Sequence, residues 1–235
     1  MTAAAMQARP VPSARPTADQ VREILIVDDH PLMCDALALT LKISFGLKNV
    51  RTARSLGAAV EQIRVQGAPD AVILDLNLPD ARGAEGIVTL RRQLPGVPIT
   101  MISADLEGAM ISTAMAAGAQ GYISKSLSRE ALVDSLRRMW EGEHVTPDGY
   151  QPDQDSADDD AKAELARRFS SLTPQQMKIL RLICKGKANK EISYELSIAE
   201  ATVKTHITAI MSKINARRRT QAVLLANSIR LFEAG

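Results

Sequence analysis

Between residues 23 and 140 short, continuous apolar runs alternate with stretches in which apolar residues recur every three or four positions. That alternation predicts βα units around a parallel sheet covered on both faces. The expected strands are 24–27, 49–53, 71–74, 99–102 and 121–123. Helices should open near Pro31, Ser55, Gly83, Leu106 and Ser128, with Pro31 in a first helical position and Ser55 and Ser128 as N-caps. The pattern lapses over 143–156, where Pro147, Gly149 and Pro152 mark an exposed linker, and 158–169 favours a helix. From Leu172 onward every segment reads as helical. Thr173, Pro174 and Gln176 form a start signal, Gly186 a stop, and Asn189 a cap for a short helix with Ile192 and Leu196 inward. A turn at Ser197, a helix over about 200–214 and a last one capped by Thr220 complete the chain. The expected fold is an α/β, doubly wound domain of flavodoxin-like strand order followed by an all-α domain. The divisions are a disordered tail (1–21), the α/β domain (22–142), a partly helical linker (143–168) and the helical domain (169–235).

Composition narrows the class. With 46% apolar and 24% charged residues the chain is ordinary for a soluble protein, and no apolar run nears the ~20 residues of a membrane span. The first twenty residues lack the apolar block of a signal peptide, which predicts a cytoplasmic protein. Cys34 and Cys184 fall in different domains, so both are expected as reduced thiols. The net charge of +2 conceals an asymmetry: residues 166–235 carry 13 Lys and Arg against 4 Asp and Glu, whereas 1–150 carry 15 against 17 and 151–165 carry 1 against 6. A polyanion partner is therefore expected for the helical domain alone.

In a parallel doubly wound sheet ligands bind at the carboxyl ends of the strands. Here those ends carry Asp28 and Asp29, then Asp75, Ser103 and Lys125. With the strands in the order 2-1-3-4-5 they converge. Crowded carboxylates repel one another, and a hard divalent cation offsets the repulsion. Mg2+ fits, taking Asp29 and Asp75 directly, Asp28 through water and the Asn77 carbonyl. Asp75 then becomes a nucleophile toward phosphorus, with Lys125 and Ser103 sensing the phosphate oxygens.

The segments Ile24-Leu-Ile-Val-Asp28-Asp29-His30-Pro31, Asp75-Leu-Asn77-Leu-Pro79 with Gly83, Ser103-Ala104 and Gly121-Tyr122-Ile-Ser-Lys125 resemble the receiver domain family over about residues 22–142. That resemblance implies phosphotransfer from a histidine kinase to Asp75, movement of the Ser103 position toward the phosphate, and a switch-aromatic role for Tyr122. Without that role Tyr122 reads as half-buried strand packing. Ser126 departs from the family, where proline commonly follows the lysine.

Two short helices joined by a tight turn, the second basic, form a helix-turn-helix. On its second helix Val203, Ile207, Ile210 and Ile214 recur at core spacing, while Lys204, Thr205 and Thr208 face outward to reach base edges or phosphates. Thr202, His206 and Lys213 lie to the side for phosphate contacts, and Lys190 and the run Arg217-Arg218-Arg219 complete the expected DNA-binding set. Leu172-Thr-Pro174, Gly186, Asn189-Lys-Glu191-Ile192, Thr202-Val-Lys204-Thr-His206 and Arg219-Thr220-Gln-Ala222 resemble the LuxR-type DNA-binding domain of NarL/FixJ-like regulators over residues 172–226. Ala199, Ser197 and Gln176 depart from the usual Ser, Gly and Glu. The two resemblances together imply a transcriptional response regulator, not an enzyme, that dimerises on phosphorylation or on DNA, with phosphorylation freeing the recognition helix. Two other readings compete with this one. A haloacid-dehalogenase-type phosphatase needs two aspartates one residue apart after the first strand, and here they are adjacent. An orphan regulator that dimerises and binds DNA without phosphate usually has a damaged acidic pocket.

Overall fold

Five short strands, mostly apolar except for β2, and the amphipathic helices between them make one parallel sheet in the order β2-β1-β3-β4-β5. The computed structural model describes residues 21–150 and 156–232, with side chains in the second block from residue 161. The expected tail lies outside the described residues except for Val21, as do 151–155 of the expected linker. The strands are β1 (Glu23–Val27), β2 (Asn49–Ala53), β3 (Ala71–Asp75), β4 (Ile99–Ser103) and β5 (Gly121–Ser124), and the helices between and after them are α1 (Pro31–Phe45), α2 (Leu56–Gln66), α3 (Glu85–Gln93), α4 (Gly108–Ala116) and α5 (Arg129–Trp140). β3 and β4 are buried at every position, as strands sandwiched between helices must be. Pro31 takes a first-turn position of α1, and the hydroxyls of Ser55 and Ser128 accept the backbone N–H groups of Ala58 and Ala131.

The second half contains α6 (Ser156–Ser170), α7 (Pro174–Cys184), α8 (Asn189–Glu195), α9 (Glu200–Lys213) and α10 (Arg219–Ser228). α9 packs on α7 and α8, and α10 on α7. Thr173 and Gln176 close the expected capping box around the first turn of α7. Two expected caps are displaced. Asn189 and Thr220 lie inside their helices, the cap positions being Ala188 and Arg218, because Glu191 reaches back to the Ala188 N–H at 2.7 Å and the Asn189 side chain is taken by Arg219. Between α8 and α9 Ser197 has φ 52°, the left-handed conformation that glycine would adopt without strain.

The segment expected as an exposed linker begins instead on the sheet. Val145 is buried and bridges Gly121 in parallel, its carbonyl accepting the Tyr122 N–H at 2.8 Å. A side chain at Gly121 would meet the Val145 carbonyl at 2.7 Å and the Met139 sulfur at 2.1 Å, so only glycine lets the chain lie this close. Further on, α6 packs on α3 and α4 and joins the two halves.

Candidate functional site

The carboxyl edge of the sheet gathers the expected residues. Asp28 follows β1, its backbone N–H held by the Ala53 carbonyl at 3.0 Å and its own carbonyl accepting the Cys34 thiol at 3.3 Å. Asp75 ends β3, and Lys125 follows β5 with its N–H on the Ser103 carbonyl at 2.8 Å. The Lys125 ammonium lies 2.9 Å from Asp28 Oδ2 and 3.0 Å from Asp75 Oδ2, both carboxylates being buried. Burial pushes the Asp75 carboxyl up from its ordinary range against the pull of Lys125. At Lys125 burial acts to lower the ammonium, but Asp28 and Asp75 outweigh it and hold the group above its ordinary value. Asn77 directs its backbone N–H at the Asp75 carboxylate.

Whether this set suits a cation is answered by Asp29. Its Oδ1 is shut off from solvent and makes no hydrogen bond, although the His30 Nδ1 stands 2.8 Å away as an ion-pair contact. Asp28, Asp29, His30 and Asp75 each offer an atom within 4.8 Å of the others. An unsatisfied anionic oxygen beside two more carboxylates is what a hard divalent ion neutralises. His30 carried no assigned role in the sequence reading; its proximity follows from the sharp path between β1 and α1, where its N–H also donates to Asp28 Oδ1 at 2.8 Å.

Ser103 is buried, and its Oγ accepts the Asp105 N–H at 3.0 Å. Tyr122 is wholly buried, unlike the half-buried packing that was the alternative to a switch role, and its hydroxyl donates to the Asp105 carbonyl at 2.7 Å. A single segment therefore connects Ser103 to Tyr122. At Ser126, the position unusual for proline's absence, the N–H donates to Ser124 Oγ at 3.2 Å, a bond proline could not make.

On the helical module Val203, Ile210 and Ile214 are buried and Ile207 half-buried, while Thr202, Lys204, Thr205 and Thr208 are exposed along one side of α9 and His206 is half-buried beside them. Thr205 and Thr208 turn their hydroxyls back to the Ala201 and Lys204 carbonyls, and Lys204 pairs with Glu200 at 3.3 Å. Lys190, Arg217 and Arg218 are exposed. Two members of the expected set also make hydrogen bonds within the module. Lys213 donates to the Ser171 carbonyl at 2.8 Å and to Gln176 Oε1 at 2.9 Å, and Arg219 ties α10 to Asn189 and the Lys187 carbonyl. The side chains expected to read DNA are thus presented at the surface of α9. The receiver half meets α6, Arg181 of α7 and Arg230 beyond α10.

Comparison with known proteins agrees with both halves. Residues 24–137 match the response regulator receiver domain, and residues 170–226 the bacterial regulatory proteins of the luxR family. A glycerol metabolism activator of Pseudomonas putida is 33% identical over 211 residues, covering 88% of this chain and 96% of its own. The response regulator protein VraR of Staphylococcus aureus (strain NCTC 8325 / PS 47) is 30% identical over 204 residues, covering 87% and 95%. Among solved structures, RcsB from Salmonella enterica serovar Typhimurium bound to promoter P1flhDC in the presence of phosphomimetic BeF3- superposes with a TM-score of 0.52 at 19% identity, covering 89% of this chain and 99% of that one. That likeness concerns the fold. No helix among the described residues is long and apolar enough to cross a membrane. With a receiver fold in its first half and a luxR-type module in its second, the chain belongs to the LuxR-family DNA-binding response regulators of the NarL/FixJ type.

Proposed function

We propose that the protein is a transcriptional regulator, acting in the cytoplasm, whose DNA binding is switched by a phosphoryl group carried on Asp75 and donated by a partner histidine kinase. The observation that carries the reading is the Lys125 bridge between Asp28 and Asp75 beside the unsatisfied Asp29 oxygen. Asp75 Oδ attacks phosphorus as the bond from phosphorus to the donor breaks, leaving an acyl phosphate. Asp28, Asp29 and Asp75 with the Asn77 carbonyl would hold Mg2+, which supplies charge neutralisation for the incoming group. Lys125 and Ser103 then hold phosphate oxygens, and Tyr122 follows the Asp105 segment as Ser103 is drawn in. The working division is a receiver over 22–142, a connector over 143–168 and a DNA-binding module over 169–235.

Incubation with acetyl phosphate and Mg2+ should add one phosphoryl group, recovered on Asp75 by peptide mapping and absent from Asp75→Asn. Recovery on another residue of the wild type would overturn the assignment.

Toward DNA, Lys204, Thr205 and Thr208 face bases, while Thr202, His206, Lys190, Arg217 and Arg218 meet phosphates, with two copies of the chain on one site. The net charge of the module makes non-specific affinity a matter of counterion release. Arg218→Ala is expected to lower the salt slope of binding by about one unit with sequence preference intact, whereas Lys204→Ala loses about 1–3 kcal/mol of discrimination at one base position. Binding titrations over a series of salt concentrations and single-base variants read both. Equal salt slopes for Arg218→Ala and wild type would remove Arg218 from the interface.

A further inference from the structure

Of the residues whose ligand atoms crowd the acidic pocket, His30 alone offers a nitrogen, and the phosphoacceptor reading leaves it without a role. It stands at the N-cap of α1, yet its side chain makes no capping hydrogen bond there. The imidazole is turned toward the carboxylates instead. Its Nδ1 lies 2.8 Å from Asp29 Oδ1 and 3.1 Å from Asp28 Oδ1, and with the side chain 69% exposed the ring is free to turn onto an ion.

Lys125 and His30 approach different oxygens. The Lys125 ammonium takes the Oδ2 atoms of Asp28 and Asp75, whereas His30 faces the Oδ1 atoms of Asp28 and Asp29. Asp29 Oδ1 is shut off from solvent, and its 2.8 Å contact with the ring lacks the geometry of a hydrogen bond. A nitrogen and an anionic oxygen this close, with no proton in line, call for a shared positive charge. Donors bound to one metal ion at about 2.0–2.2 Å lie about 3 Å from each other, and Nδ1 and the two Oδ1 atoms already keep that spacing. The neighbouring Cys34 thiol donates to the Asp28 carbonyl, which leaves the imidazole as the donor that sets the character of this edge.

The donor type selects the ion. Mg2+ prefers oxygen ligands and keeps several waters, so an imidazole adds little to its binding. Zn2+ takes imidazole and carboxylate together and binds more tightly than the hard ions wherever nitrogen is offered. We propose that His30 opens the acidic pocket to Zn2+, held by the His30 imidazole with the Asp28 and Asp29 carboxylates, so that Zn2+ and Mg2+ exclude one another there. The proposal rests on the cation reading of the pocket given above and goes beyond it in the ligand and in the ion.

Calorimetric titration of the full chain with zinc chloride and, separately, magnesium chloride tests it, with no phosphodonor present. Wild type should bind Zn2+ at least ~10-fold more tightly than Mg2+, and saturating Mg2+ should weaken the apparent Zn2+ affinity at least ~10-fold. His30→Ala should lose at least ~10-fold in Zn2+ affinity while binding Mg2+ within about 2-fold of wild type. His30→Asn, which offers an oxygen in place of the ring nitrogen, should behave toward Zn2+ as His30→Ala does. In wild type with isotope-labelled histidine nitrogens, Zn2+ should shift the Nδ1 signal of His30 and leave those of His144 and His206 in place. Zn2+ affinity unchanged in His30→Ala, or indifferent to saturating Mg2+, would overturn the proposal, and Mg2+ binding in the same samples would show that the cation pocket itself stands. If wild type binds neither ion, the cation reading fails and the proposal with it. Should the variants fail to fold, the His30 Nδ1 signal of wild type decides: no shift on adding Zn2+ would remove the imidazole from the site.

Discussion

Lys125→Ala should destabilise the metal-free protein by about 3–5 kcal/mol, the range found when one partner of a buried charge pair is removed. Lys125 is the cation that bridges Asp28 and Asp75, and both carboxylates are nearly solvent-free, so its loss leaves two buried like charges facing each other. Millimolar Mg2+ should restore most of the lost stability, because an ion at Asp28, Asp29 and Asp75 replaces the missing positive charge. Phosphoryl transfer from acetyl phosphate should persist in this variant, since Asp75 and the acidic set remain, but the DNA response to phosphate should be lost. Urea unfolding with and without Mg2+ reads the first effect, and DNA titration of the phosphorylated variant the second. A variant as stable as wild type without metal would remove Lys125 from its bridging role, and a normal phosphate response would show that its charge does not report the phosphate.

The second large effect is a dependence on pH at Glu85. Burial pushes this carboxyl from an ordinary 4.5 up to about 7, even with the Arg181 guanidinium beside it. The folded protein therefore holds this proton more tightly than the unfolded chain does. The favourable contribution is complete below the ordinary carboxylate pKa and is lost as pH rises through about 7. Over that window the loss amounts to about 3 kcal/mol. Glu85→Gln keeps the oxygen that Arg181 needs and removes the titration. Its unfolding free energy should change less between pH 5 and pH 8 than that of wild type, by up to that amount. Parallel pH profiles for the two proteins would show that Glu85 is not buried as a charge.

Much of this was legible in the sequence. Short runs, continuous and apolar in every strand but β2, mark all five strands to within a residue or so, and a doubly wound order brings Asp28, Asp75, Ser103 and Lys125 to one edge. That inference works because strand ends in such a sheet are a topological address. Less visible were pairings between distant elements. Nothing local to Arg181 or Arg230 announces a partner 96 or 123 positions away, and an arginine on an amphipathic helix reads as solvated or as a phosphate contact. The same ambiguity holds for Lys213 and Arg219, expected at DNA from their charge, whose hydrogen bonds within the module no local pattern announces. Val145 gives no local signal because one apolar residue among Pro, Gly and charged neighbours has no period, and its burial depends on Gly121 leaving room. Tyr122 looked half-buried because tyrosine hydroxyls usually reach water; here the Asp105 carbonyl satisfies the hydroxyl inside the protein.

Phosphate control of DNA binding is tested most directly by titrating a labelled duplex, selected from a random pool by the phosphorylated protein, with three samples: untreated protein, protein treated with acetyl phosphate and Mg2+, and Asp75→Asn treated alike. The treated wild type should bind at least ~10-fold more tightly, a difference of about 1.4 kcal/mol, with two copies per duplex, while the treated Asp75→Asn behaves as the untreated protein. Equal affinity and equal stoichiometry for all three would contradict a receiver that governs the DNA-binding module.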